Sequence, residues 1–170
     1  ITDSGTLTIG GNLAATTDAG NGVINLGTLA VDGTVALTTN GSGNATVVND
    51  AGLDFAASTV GGNLAATATT GNMTDSGALT ITGTTTLVTS ANNATIALDT
   101  TSNAFTGAVT VVNDAGLDFA ASTVGGNLAA TATTGNMTDS GALAITGTTT
   151  LTTSANNATI ALDTTTNAFT

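Results

Sequence analysis

Inside short runs of this chain, single large apolar residues return at every second position, and small polar residues fill the places between. Leu79 and Ile81, Ile96 and Leu98, Val109 and Val111, and Leu117 and Phe119 are each two apart. In an extended chain that spacing puts both members of a pair on one face. The residues between them, such as Thr80, Ala97, Thr110 and Asp118, then point outward. Helices are not expected, because Thr, Gly and Asn dominate and no apolar stripe recurs at i, i+3, i+4. The pattern predicts an all-β chain of short half-buried strands separated by Gly, Asn, Asp and Ser.

The runs themselves repeat. Residues 43–106 and 107–170 match across a shift of 64 at every position but five: Asn44/Ala108, Ala45/Val109, Thr80/Ala144, Val88/Thr152 and Ser102/Thr166. A tandem duplication of that length is the mark of a repeat architecture. Read from residue 61, the unit divides into GGNLAATATTGNMTDSGALTIT, GTTTLVTSANNATIALDTTSNAFT and GAVTVVNDAGLDFAASTV, of 22, 24 and 18 residues. Each third holds three extended pieces.

Three strands per 18–24 residues describe one rung of a three-sided parallel β-helix, or β-solenoid, whose rungs stack at about 4.8 Å. The whole chain, 1–170, reads as a single segment of about eight such rungs: divergent rungs over 1–42, repeat unit one over 43–106 and repeat unit two over 107–170. Aligning the first strands sets Leu64, Thr85 and Val109 inward in one column, and Ala66, Leu87 and Val111 in the next. Four of the five mismatches then fall outward or in turns, and only Ala45/Val109 points in. The interior is expected to be aliphatic and the hydroxyls to face out. Glycines are expected to turn the corners, and Asn and Asp of the NDAG and TDSG segments to form Asx turns or left-handed backbone there, with stacked Asn forming amide ladders.

The region before Gly43 is looser. Residues 11–32 resemble a full rung, and Ile1 to Ile9 echo Met73 to Ile81 and so begin mid-rung. Residues 33–42 are too few for a rung. They are expected either to join residues 43–60 as one long rung of 28 or to bulge as a loop.

Composition narrows the chemistry. The chain has no Lys, Arg, His, Cys, Pro, Trp or Tyr; its 11 acidic residues are all Asp and its net charge is −11. Without cations nothing neutralises phosphates, so neither nucleic acid nor an anionic lipid surface is an expected partner. Without His or Cys there is no imidazole base, thiolate nucleophile or soft metal site. The absence of Lys and Arg also removes every trypsin-type cleavage site. The positive mean hydropathy and the regular apolar positions argue for folding rather than disorder. No charged and apolar leader and no run of about 18 apolar residues is present, so neither a signal peptide nor membrane insertion is expected. A chain that opens on Ile1 rather than Met reads as a mature piece or an excerpt.

The stretch GGNLAATATTGNMTDSGALTITGTTTLVTSANN resembles the repeat region of filamentous haemagglutinin-like bacterial exoproteins and adhesins, of the two-partner secretion or autotransporter type. The similarity extends over essentially the whole chain. It implies a right-handed parallel β-helix and a role as an extracellular shaft or fibre at a bacterial cell surface, with no catalysis and no resident cofactor. No site residues carry over with it. The expected partner is the chain itself, by end-to-end stacking or continuation of a longer chain. The alternative is an adhesin that binds host or surface glycans through exposed Thr and Asn faces, with calcium as a candidate cofactor.

The aspartates are the only ionisable side chains. The alignment puts Asp99 and Asp118 outward on the second side of consecutive rungs, about 5 Å apart, with Asp54 and Asp163 at the copied positions. Paired carboxylates without a cation could recruit Ca²⁺. The plainer reading is a solvated face that keeps fibres apart by charge, and the GGxGxDx calcium repeat is absent. A glycosidase pair is disfavoured because the rungs are too short to shape a cleft. A flat ice-binding Thr face is disfavoured by register, since the column of Thr86 also holds Ala65 and Thr110, and the next holds Thr67, Val88 and Val112. Asn-x-Ser/Thr triplets stand at Asn40, Asn44, Asn72, Asn93, Asn136 and Asn157. An Asn- and Thr-rich chain produces several by chance, so they are weak evidence of glycan attachment.

Overall fold

The computed structural model describes residues 1–18, 20–99 and 102–170, and no helix forms among them. The first two rungs carry two strands each: β1 (Leu7–Ile9) and β2 (Leu13–Thr16), then β3 (Ile24–Val31) and β4 (Thr34–Thr38). Six three-stranded rungs come next. They are β5 (Ala45–Asn49), β6 (Leu53–Phe55) and β7 (Ser58–Val60); β8 (Leu64–Ala68), β9 (Met73–Asp75) and β10 (Leu79–Ile81); and β11 (Thr85–Thr89), β12 (Ile96–Leu98) and β13 (Asn103–Phe105). After them come β14 (Val109–Asn113), β15 (Leu117–Phe119) and β16 (Ser122–Val124); β17 (Leu128–Ala132), β18 (Met137–Asp139) and β19 (Leu143–Ile145); and β20 (Thr149–Thr153), β21 (Ile160–Ala161) and β22 (Ala168–Phe169). Thr100, the last residue of the expected piece ATIALDT, lies outside the described residues.

Face one is an unbroken ladder of eight strands, β1-β3-β5-β8-β11-β14-β17-β20. Face two stacks β6, β9, β12, β15, β18 and β21, and face three stacks β7, β10, β13, β16, β19 and β22. The rungs pair in parallel, and the result is a β-solenoid of eight coils. Ala45 pairs with Leu64, Leu64 with Thr85 and Thr85 with Val109, so successive coils advance 19, 21 and 24 residues and three of them close the 64-residue period. The second unit repeats the first two steps, from Val109 to Leu128 and from Leu128 to Thr149.

The coil lengths differ by one residue from the 22 and 18 expected of the sequence, and the reason is the Gly pair. At Gly61–Gly62 it is the second glycine that lies beneath Gly83. A Cβ on Gly83 would come within 2.6 Å of the Gly62 carbonyl carbon. Gly83 has no positive φ. It is required by the close stacking of one backbone corner on another, and not by a left-handed turn. Left-handed backbone at non-glycine positions occurs at Asn93, Ser102 and Asn157. None of these belongs to NDAG or TDSG, so the left-handed part of that expectation is corrected.

The inward columns are those the alignment predicts. Leu64, Thr85 and Val109 are 1, 1 and 2 % exposed, and Ala66, Leu87 and Val111 are equally buried. Of the five positions at which the copies differ, only Ala45/Val109 is buried in both copies; Thr80, Ala144 and Thr152 are exposed.

The N-terminal reading needs correction. Leu7–Ile9 pairs with Leu29–Val31, and Thr2 bridges Asn25, so Ile1–Ile9 lies along face one rather than beginning mid-rung. Residues 33–42 are neither a loop nor the start of a long rung, because β4 completes the coil that β3 begins. β4 pairs with β2 before it and with both β6 and β7 after it. Val35 faces Phe55 while Thr38 faces Thr59, so three steps in β4 match four in the next coil. One added residue at Ala56–Ala57 makes the corner that separates faces two and three from there on.

Candidate functional site

The outward surface is sided by charge. Beyond Gly43, Asp50 and Asp114 sit at the corner between faces one and two, and Asp54 and Asp118 on face two. Asp75 and Asp139 end β9 and β18, and Asp99 and Asp163 come after β12 and β21 towards face three. No Asp falls on face three, on the Gly-rich corner after it, or on face one over this stretch.

The four aspartates singled out for calcium do not stack on one another. Asp118 faces Ala97 below and Thr138 above, and Thr138 Oγ1 donates to Asp118 Oδ1 at 3.0 Å. Asp99 lies two residues along the chain from Ala97 and is exposed, so it is offset from Asp118 rather than opposite it. Such diagonal neighbours stand about 7–8 Å apart, against about 5 Å for a direct pair. Asp54 faces Thr34 and Thr74, and its buried Oδ1 has no hydrogen-bond partner. Asp163 is exposed and its backbone N–H donates to Asp139 Oδ1 at 2.9 Å. Among the described residues no group of three or more acidic side chains gathers to hold a metal ion.

Two shallow depressions recur at equivalent places in the two units. One, of about 490 Å³, includes Asp54, Asn72 and Thr74; the other, of about 430 Å³, includes Asp118, Asn136 and Thr138. Asn72 Oδ1 accepts the Thr95 N–H and Asn136 Oδ1 accepts the Thr159 N–H, both at 2.9 Å, so the amides serve the coil above them. The corner leading into face one uses the same device: Asn44 Oδ1 accepts the Asn63 N–H and Asn63 Oδ1 accepts the Thr84 N–H, each at 2.8 Å. The stacked asparagines bond to backbone of the next coil rather than to one another's amides.

The chemistry that sequence reasoning missed lies inside. Asp75 is buried, and Asn103 Nδ2 donates to its Oδ2 at 2.7 Å while Asn103 Oδ1 accepts the Leu79 N–H at 2.8 Å. One unit on, Asn167 bonds in the same way to Asp139 and Leu143. Asn49 is buried where faces one and two meet, accepting from Val31 N–H and donating to the Val31 and Gly52 carbonyls. Its copy Asn113 donates to the Gly116 carbonyl and accepts from the Thr89 hydroxyl. Ser58 Oγ accepts the Leu37 N–H and donates to the Ala56 carbonyl. These contacts pin one coil to the next and correct the expectation of a purely aliphatic interior. The signal was parity: Asp75 stands two after Met73, Asn103 two before Phe105, and Asn113 two after Val111.

Two carboxyls are held below the usual carboxylate range. At Asp139 burial pushes the value up, but the Asn167 amide, the Thr164 hydroxyl and N–H, and the Asp163 N–H outweigh it. At Asp3 the Thr28 N–H acts first; burial opposes it, and the Thr28 hydroxyl and Gly27 N–H add to it. Asp3 caps a bulge in β3, where the register slips between Leu26 and Leu29 and the Gly27 and Thr28 N–H groups donate to its carboxylate.

A family model described as repeats of unknown function (DUF5649) matches residues 42–112 and again 109–170. The chain belongs to this family. No curated protein and no solved structure matches it. The two matched stretches nearly coincide with the pair of three-coil units, 43–106 and 107–170.

Proposed function

We propose that the chain is a stretch of the extracellular shaft of a bacterial surface protein of the filamentous haemagglutinin kind, a structural fibre element without catalysis. The observation that carries this reading is the unbroken face-one ladder, in which three coils close each 64-residue unit and hand the same register to the next. A solenoid of this type gains length simply by adding units, each about 14 Å along the axis. Continuous backbone pairing and a continuous buried column make such a rod stiff. Its lack of Lys and Arg suits exposure to proteases. It extends by continuation of a longer chain or by end-to-end stacking. Electron microscopy of the native material tests this: straight rods with an axial repeat near 14 Å are expected, and globular particles overturn it.

A second reading, an adhesin for host or surface glycans, is favoured by the Thr- and Asn-bearing surface of face one, face three and the corner between them, which is free of charge beyond Gly43. Saturable binding of the 170-residue chain to an array of neutral glycans, with or without calcium, separates it from a shaft that only spaces other domains.

A further inference from the structure

We infer that face one of coils three to eight is a lateral docking surface for a second copy of this chain, so that two solenoids pair side by side. The face is built of five-residue strands, from Ala45–Asn49 to Thr149–Thr153. Its outward positions form two straight columns. One contains Ala65, Thr86 and Thr110, and the other contains Val48, Val88 and Val112. Val112 is 41 % exposed and lies directly beside Val88 in a column whose members are all Val or Thr.

The occupant is set by charge and period. The molecule has a net charge of −11 and no basic side chain, so two copies repel unless they meet where neither carries charge. Face one of these coils meets that condition, and its nearest carboxylates lie beyond the strand ends at Asp50 and Asp114. A cationic partner would instead be drawn to face two. The rows repeat at the strand spacing of about 4.8 Å, and a surface with the same period fills them along their length; a second face one has it. Small side chains let two such sheets approach to about 10 Å. Face three is also uncharged, but its strands are only two or three residues long and it carries a depression of about 390 Å³ around Ala104, Ala121 and Ala144.

The area sets the strength. Strands of about 17 Å across six coils of about 4.8 Å give ~480 Å² per partner, so the pair buries ~1,000 Å², the lower bound for a specific interface. Each added 64-residue unit contributes about half as much again, so pairing is weak in this chain and strengthens with length. This inference goes beyond the shaft reading and does not need it to hold.

Sedimentation equilibrium of the 170-residue chain across micromolar to millimolar concentrations tests it. The weight-average mass is expected to rise towards twice the monomer. The double variant Thr86→Asp, Thr110→Asp should abolish the rise, while Ala97→Asp, which adds charge on face two, should leave it within twofold. Phe169→Asp, at the open end of the stack, should also leave it, and would remove it if association were only end to end. Because the chain has no Cys, a spin label at Thr110→Cys should show a short inter-chain distance that a label at Thr123→Cys on face three does not. The proposal is overturned by a mass that stays monomeric throughout, by association indifferent to the face-one charges, or by a short distance only at position 123.

Discussion

Thr85 offers the sharpest test of the interior. It points inward between Leu64 and Val109 in the first inward column, is 1 % exposed, and its Oγ1 has no hydrogen-bond partner. A buried hydroxyl without a partner costs about 1–3 kcal/mol relative to water. Replacing it by the methyl of Val keeps the shape and returns roughly 0.8 kcal/mol of apolar burial. Allowing for imperfect fit in a close-packed column, Thr85→Val should stabilise the chain by about 1–2 kcal/mol, a Tm rise of roughly 3–6 °C for a chain of this length. The copied position is a built-in control. Thr149 also lacks a partner for Oγ1, but it is half-buried in the last coil, so Thr149→Val should give less than half the gain. Urea unfolding followed by circular dichroism measures both. Amide exchange over β8, β11 and β14 checks that the gain sits in the coils around Thr85, since repeat arrays need not unfold as one unit. A neutral or destabilising Thr85→Val would refute the reasoning, because it would mean that the hydroxyl is contributing a favourable contact.

Asn103→Leu should cost about 2–4 kcal/mol by taking a donor from buried Asp75 and the acceptor from the Leu79 N–H, and thermal unfolding reads the loss. Gly83→Ala should destabilise by about 1–3 kcal/mol or more, since the new methyl meets backbone of the coil below, and the measurement is the urea midpoint. Asp139 has its carboxyl lowered in the folded state, so its contribution is present above the unfolded value near 3.9 and is lost as pH falls through the lower folded value. Asp139→Asn should therefore flatten the acid limb of stability below about pH 4, seen as a smaller difference in midpoint between pH 5 and pH 3. Calcium at millimolar concentration should raise Tm no more than sodium chloride of equal ionic strength, because Asp99, Asp118, Asp54 and Asp163 do not oppose one another in register; a saturable calorimetric isotherm would contradict this.

Much of the architecture was legible because strand periodicity and an internal copy are both one-dimensional signals. Leu79/Ile81 and Leu117/Phe119 declare their face by parity alone, and the 64-residue shift declares how many coils stack in register. The N-terminal coils were misread because Ile1–Ile9 resembles Met73–Ile81 in composition, whereas its pairing is decided by where β3 lies. The polar interior was misread because Asn and Asp were assigned to turns by residue type. Asn49, Asn113 and Asp75 keep the inward parity of their strands and find backbone or amide partners inside.

The sequence by itself determined that the chain folds, that it folds as strands, which side chains of each strand point in, and that it carries no Lys, Arg or His side chain. Those properties depend on neighbours one and two residues away and on composition. The tertiary structure alone decided which glycine of a pair supports the next corner, that β4 spans two faces at once, that the four candidate acids are offset, and that the charges of separate segments gather on one side. These depend on contacts between residues 19 to 24 apart, where a single added residue at a corner moves every later side chain to a new neighbour.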